Sequence, residues 1–450
     1  MELSNIISNQ FTIIIVEKKL KRVLCIQDMN GDSVPVYYYK KDNTFIISNK
    51  LINILDFIAK PKINEKVVNI FIKKGYIPNK ETLIYNVCKL IPEYNLFIEL
   101  DNINIDKLIK KKIKLNKIKN YNVDLYIGVF KKIIEKAEKN KYIFTTLSGG
   151  YDSNFIYALL NKNKPIEGFT VGGISGRDET KVVGDNVKDY KNTNLNISYV
   201  DNNTLNNYPD LIYKLEGAVY EKGIFLQYAL LNSIKNKDKN NVVLISGEGS
   251  DEIFSLEYFS KLKYLYRSIK NILIPIKNEN WKDEINNINI KGGFLYQFNS
   301  KEAIRCIIIK KSGILMNDAN IYYLHPYLNR NIIDIAYTNR YKNIKYKTSH
   351  IKACKKVIND NILNRIKHMP GSTEPIALFK NFKYIKQIES IVNKSTYNIL
   401  NIKIRESNNN YLDYMLKILY LEIFEYLFVK NYKDIENKRN YKLEDILKEI

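Results

Sequence analysis

The sequence predicts an α/β protein: a parallel sheet with a mainly helical C-terminal part, preceded by a small β-rich domain. Three observations carry this. Apolar strand-like runs near 142–148, 165–172, 196–200 and 241–246 alternate with helical patterns, and their short connections imply parallel pairing. The first hundred residues hold strand-like runs at Phe11 to Val16, Val34 to Tyr39 and Thr44 to Ile47, with turn residues between them. Beyond about residue 255 the periodicity is mainly helical and ends in Tyr411 to Val429, whose apolar and aromatic content reads as core.

A chain of 450 residues can bury two to three independent cores. The expected division is a β-rich domain over 1–110 and an α/β domain over 120–435, joined by a lysine-rich connector around Lys107 to Lys117. Lys and Arg total 71 against 48 Asp and Glu, a net charge of +23. The lysines are spread along the chain among Asn, Ile and Tyr, so the excess reads as solvated surface with help from an anionic ligand. No tract has the form of an RNA-binding module, and no nucleic-acid partner is expected. Met1 to Gln10 lacks the layout of a signal peptide, and no apolar stretch reaches a membrane span, which predicts a cytoplasmic protein without a membrane partner. Four scattered cysteines and the dispersed His325, His350 and His368 make neither a disulfide frame nor a metal centre, and the histidines read as structural.

Two short stretches carry chemistry. Ser148-Gly149-Gly150-Tyr151-Asp152-Ser153 follows the run Tyr142 to Leu147, and Ser246-Gly247-Glu248-Gly249-Ser250-Asp251-Glu252 follows Asn241 to Ile245. Each reads as strand, glycine turn, helix. Gly149 and Gly150 let backbone N–H groups approach a ligand closely. The apolar spacing of Phe155, Ile156, Leu159 and Leu160 makes the following segment a helix, whose N-terminus favours phosphate oxygens. Ser148 and Ser153 add hydroxyl donors. The loop is neither Gly-x-x-x-x-Gly-Lys-Ser/Thr nor Gly-x-Gly-x-x-Gly. It has no lysine, so phosphate charge has to be met by backbone, a metal or distant cations. Asp152 and Asp251, each just past its turn, can hold one Mg²⁺ on a triphosphate, the alternative being two helix caps.

Ser148 to Ser153 resembles the pyrophosphate loop of the adenine-nucleotide α-hydrolase superfamily, and Ser246 to Phe254 resembles the matching element of asparagine synthetases. The similarity runs from about residue 120 to 430. Thr170-Val171-Gly172, followed by Asp178-Glu179-Thr180, is similar to the family's adenosine-contacting strand and next helix. Leu363-Asn364-Arg365-Ile366-Lys367 is similar to its Arg-x-Lys element. The resemblance implies a PP-loop ATP pyrophosphatase fold with ATP and Mg²⁺ as cofactors. It further implies that Ser148, Gly149, Gly150, Asp152, Ser153, Thr170, Val171, Gly172, Ser246, Gly247 and Gly249 hold the nucleotide, and that Asp152 and Asp251 hold the metal. Lys367, Arg365 and Glu248 are the catalytic candidates. The implied reaction adenylates a small-molecule or peptide carboxylate, after which an amine or ammonia displaces AMP.

Three departures qualify the resemblance. Residues 1–110 are similar to a shortened glutaminase-type domain, with Val34 to Tyr39, Gly75-Tyr76-Ile77-Pro78 and Lys89-Leu90-Ile91-Pro92 carrying the likeness. Met1 is followed by Glu2 where glutamine-using members have a nucleophilic cysteine, so this domain is expected to be non-catalytic and nitrogen to come from ammonia, a separate donor or the substrate's own amine. Tyr322 to Asn329 replaces Glu-x-Arg-x-Pro-Phe-Leu-Asp, removing the acid, the arginine and the aspartate, and makes Tyr322 a proton-handling candidate. Ser255-Leu256 stands where a glycine pair is usual. β-Lactam synthetases and lasso-peptide cyclases, which close an amide within one substrate, are similar in the synthetase part, and a tRNA-modifying PP-loop enzyme is the other alternative.

Overall fold

The computed structural model describes residues 11–27, 34–42, 44–91, 94–99, 106–110, 122–139, 141–160, 164–173, 179–188, 192–254, 311–338, 347–363, 374–398 and 409–450. The N-terminal strands are β1 (Thr12–Glu17), β2 (Arg22–Gln27), β3 (Tyr37–Lys41), β4 (Thr44–Ser48), β5 (Cys88–Lys89), β6 (Tyr94–Glu99) and β7 (Asp106–Lys110). They form antiparallel sheets in the orders β1-β2-β6-β7 and β4-β3-β5. β7 lies where the sequence suggests a connector. Its two lysines, flanking Leu108-Ile109, are compatible with a strand because among the described residues it is an edge paired to β6.

The second architecture is a five-stranded sheet of β8 (Tyr142–Thr146), β9 (Ile166–Gly172), β10 (Thr193–Tyr199), β11 (Val242–Ile245) and β12 (Tyr322–Leu324) in the order β10-β9-β8-β11-β12. Every pairing in it is parallel. β11 is buried on both faces, which explains its unbroken apolar run Val242-Val243-Leu244-Ile245. Sequence reading finds β8 to β11 to within a few residues. β12 has only three residues and no readable period in a region that otherwise reads as helical.

Among the described strands, this order reverses its progression once, between β8 and β11. At such a switch point the loops leaving the carboxyl ends diverge and open a crevice. The two glycine loops follow these two strands, so their meeting is a result of topology.

Alternation along the strands divides the apolar side chains between two cores. Phe144, Val242, Leu244 and Tyr323 join a large cluster that also takes in Leu51, Phe71 and Ile84 from the N-terminal part and Met415, Leu419 and Phe424 from the helix Asn409–Glu425. Ile143, Val243, Ile245 and Leu324 join a second cluster around Phe155, Tyr327 and Ala353. The helix Asn409–Glu425 runs on into a π-helical turn, Tyr426–Lys430, and together they cover the expected Tyr411 to Val429 core segment.

One half-buried glutamate ties the N-terminal part to the rest. Glu216, in the left-handed region at φ +50° after the helix Tyr208–Leu215, accepts hydrogen bonds from the backbone N–H groups of Leu51 at 2.8 Å and Ile52 at 3.5 Å. Burial outweighs these contacts and pushes its carboxyl up to about 7 from 4.5. A carboxyl raised on folding stabilises the fold most below its unfolded value and loses that contribution as pH rises through its folded value, here between about 4.5 and 7. Glu216→Gln keeps an acceptor oxygen without a charge. Its melting temperature is expected to match wild type near pH 5 and to exceed it near pH 8, with equal differences at both pH values counting against this role.

Candidate active site

The first loop is built by its own side chains. Ser148 and Ser153 share a hydroxyl hydrogen bond of 2.9 Å, and the Ser148 N–H donates to Ser153 Oγ at 3.1 Å. Asn154 Nδ2 donates to the carbonyls of Ser148 and Gly150 at 2.9 and 2.8 Å, pinning the turn to the first residues of the helix Tyr151–Leu159. Gly150 sits at φ −86°, an ordinary value, and its N–H donates to Ser148 Oγ at 3.3 Å. The Gly149 N–H donates to Glu179 Oε2 at 3.0 Å. An oxyanion thus already rests on the loop amide, at the kind of position that phosphate oxygens take.

The second loop packs against the first, backbone to backbone. A Cβ on Gly247 would lie 2.8 Å from Ser153 Cα and 2.9 Å from its nitrogen. Gly249 adopts φ +92°, beside Leu328. Ser246 Oγ accepts from Thr146 Oγ1 at 3.1 Å and from the Glu248 N–H at 3.2 Å, joining the ends of β8 and β11. Thr170, Val171 and Gly172 end β9 next to the first loop, where the Leu147 N–H donates to the Phe169 carbonyl at 2.8 Å.

Asp152 and Asp251 meet through a partner the sequence does not reveal. Lys347 Nζ lies 3.1 Å from both carboxylate oxygens of Asp152 and 2.5 Å from Asp251 Oδ1. Lys347 is buried and stands at φ +45° just before the helix Thr348–Val357, a left-handed conformation uncommon for lysine. Ser250 Oγ donates to Asp152 Oδ1 at 2.7 Å, and His350 Nε2 lies 3.1 Å from the same oxygen.

His350 is fully buried among Tyr126, Phe155, Phe254 and Tyr327, and burial pushes its pKa down against the pull of Asp152. A neutral ring with Nε2–H toward Asp152 leaves Nδ1 to accept from Tyr126 OH, 3.1 Å away. The Tyr327 hydroxyl donates to the Asp152 backbone carbonyl at 3.0 Å. His350 is therefore structural, as the sequence suggests, and the structure it supports is the site.

With His350 neutral, two carboxylates face one ammonium, and the Asp251 side chain is 43% exposed. Hard oxygen donors with a residual negative charge and an open side fit Mg²⁺ together with phosphate oxygens. Among the described residues no group of three or more His, Cys, Asp or Glu gathers as a metal cluster, so phosphate and water would complete the shell.

Glu248 centres a second polar group. Its Oε1 accepts from Gln227 Nε2 at 3.0 Å, and its Oε2 accepts from Tyr323 OH at 3.0 Å and Ser312 Oγ at 2.9 Å. Tyr322 is not among these residues. It pairs in register with Val243, on the opposite face of β12 from Tyr323, and its ring lies 3.9 Å from the Lys141 ammonium before β8. Strand alternation gives the neighbouring tyrosine the contact with the site. Arg365 and Lys367 lie outside the described residues.

Residues 137–302, which include both glycine loops, match the family model for asparagine synthase. Over 296 residues the chain is 25% identical to a Methanocaldococcus jannaschii protein named "Putative asparagine synthetase (glutamine-hydrolyzing) 2", covering 59% of this chain and 54% of that protein. The chain thus spans about half the length of the curated relative it matches.

The contact at Gly247 can be checked directly. A methyl group there meets backbone that cannot rotate away, so Gly247→Ala should destabilise by about 1–3 kcal/mol in denaturant unfolding. Gly128→Ala, in open space on the helix Val123–Glu138, should be neutral or stabilising by about 0.4–1 kcal/mol.

Proposed function

We propose that this asparagine synthetase-like chain is an ATP-dependent, AMP-forming amide ligase. A carboxylate oxygen of the substrate attacks the α-phosphorus of ATP, the bond to the β-phosphate oxygen breaks, and pyrophosphate leaves. An amine or ammonia then attacks the acyl carbon, the acyl C–O bond breaks, and AMP departs. The observation that carries this reading is the gathering of Asp152, Asp251 and Lys347 between two interlocked loops at the switch point of a parallel sheet.

The chain's own groups have distinct tasks. The amides and hydroxyls of Ser148 to Ser153 bind the pyrophosphate end, displacing Glu179 from Gly149. Lys347 turns from the carboxylates to phosphate oxygens and balances the charge that grows on the leaving group. Thr170 to Gly172 border the nucleoside. Mg²⁺ on Asp152 and Asp251 would neutralise charge on the triphosphate. Lys367 and Arg365 enter by resemblance as further cations. Residues 120–435 form the ATP-binding domain, and residues 1–110 serve as a non-catalytic scaffold. Intramolecular amide closure by the same chemistry is the second reading, favoured by the replacement of Glu-x-Arg-x-Pro-Phe-Leu-Asp at Tyr322 to Asn329.

Screened with ATP, Mg²⁺ and a panel of carboxylates, the protein is expected to form AMP and pyrophosphate in equal amounts. Lys347→Met and Asp152→Asn should each lower the rate about 10²- to 10³-fold. Formation of ADP and phosphate would overturn the reading, and loss of one water from a single substrate would select the intramolecular form.

A further inference from the structure

We infer that His350 is a positioning residue for the divalent metal, held in one tautomer by the Tyr126 hydroxyl so that its Nε2–H fixes the Asp152 carboxylate. The assignment rests on the reading of Asp152 as a metal ligand of the proposed ligase. His350 Nδ1 lies 3.1 Å from Tyr126 OH, and Nε2 lies 3.1 Å from Asp152 Oδ1 and 3.2 Å from Tyr327 OH. The Tyr327 proton goes to the Asp152 backbone carbonyl at 3.0 Å. With its proton on Nδ1, the imidazole would turn an Nε2 lone pair on the carboxylate oxygen, while Tyr327 has no second proton to offer. With the proton on Nε2, Tyr126 donates to Nδ1 and every contact is satisfied.

The side chain and main chain of Asp152 are thereby held separately, from elements that surround the start of the helix Tyr151–Leu159. Ser250 Oγ and His350 Nε2 hold Oδ1, at 2.7 and 3.1 Å, and Tyr327 holds the carbonyl. In the proposed reaction Lys347 turns to phosphate oxygens and stops orienting the carboxylate. His350 cannot follow it. The ring is fully buried, with the Phe155 centroid 5.0 Å away edge-on and the Phe254 centroid 5.5 Å away in a stack. A neutral donor on a fixed ring keeps a carboxylate aimed without adding a positive charge against the incoming cation. Hydrogen-bond partners of metal-binding carboxylates typically contribute about 10- to 100-fold in metal affinity.

The test reads metal binding and tautomer in the full-length protein, without turnover. Equilibrium dialysis with α,β-methylene-ATP gives the Mn²⁺ concentration that half-saturates retention of the nucleotide. His350→Leu, which keeps apolar packing and removes the donor, should raise that concentration about 10- to 100-fold. His350→Gln, whose amide N–H can take the place of Nε2–H, should recover most of the loss. Labelling with ¹⁵N-histidine should show His350 protonated at Nε2, and Tyr126→Phe, which removes one hydroxyl, should give a mixture of tautomers and weaken Mn²⁺ about tenfold. The chain has three histidines, and the signal lost in His350→Gln is the relevant one. If the His350 variants do not fold, Tyr126→Phe carries both measurements, with His325→Asn and His368→Gln assigning the signal by elimination. A folded His350→Leu that needs no more Mn²⁺ than wild type, or a wild-type His350 protonated at Nδ1, overturns the proposal. Mn²⁺ dependence that weakens in these variants, without AMP formation from any carboxylate, keeps the positioning role and removes the ligase reading. AMP formation with an unchanged Mn²⁺ dependence does the reverse.

Discussion

The site depends on one arrangement of charge: the buried Lys347 ammonium between the carboxylates of Asp152 and Asp251. Buried charges persist in a fold only when paired and hydrogen-bonded, and each neighbouring element serves that need. Ser250 and His350 supply donors to Asp152. The aromatic box of Tyr126, Phe155, Phe254 and Tyr327 keeps His350 dry and neutral, so that it adds a hydrogen bond without a second positive charge. The sheet order then sets the distance. Only because β8 and β11 are neighbours can their following residues reach the same ammonium.

The glycine loops were legible because their chemistry is local: glycines, hydroxyls and an aspartate within a few residues, each after an apolar run. Lys347 was not legible. It reaches Asp152 across 195 positions, sits in a left-handed turn that a lysine does not announce, and is one of 71 basic residues. The need for a distant cation could be read from the lysine-free loop, but its identity could not. The contact of Tyr323 with Glu248 was hidden for a different reason. Without β12 as a strand, period-two alternation could not be applied, and the motif position drew attention to the residue whose neighbour carries the contact. β5 and β7 escaped for a related reason, being a two-residue and a lysine-bearing edge, whereas β2 and β6 are interior strands whose character comes from pairing with each other far along the chain.

The large core ignores the boundary that the sequence suggests near residue 110. Side chains from the N-terminal helix Glu65–Lys74 pack with the helix Asn409–Glu425, Phe71 lying 5.2 Å from the Tyr420 ring between centroids. Glu216 adds a polar tie at the same junction. The N-terminal part covers apolar surface that the sheet-bearing part would otherwise expose.

The position of Lys347 so late in the chain also bears on biogenesis. A polypeptide emerging from the ribosome presents both acidic loops well before their counter-ion has been translated. Until then the two carboxylates repel one another and must stay hydrated, so the crevice at the end of the sheet is closed only when the last quarter of the chain arrives.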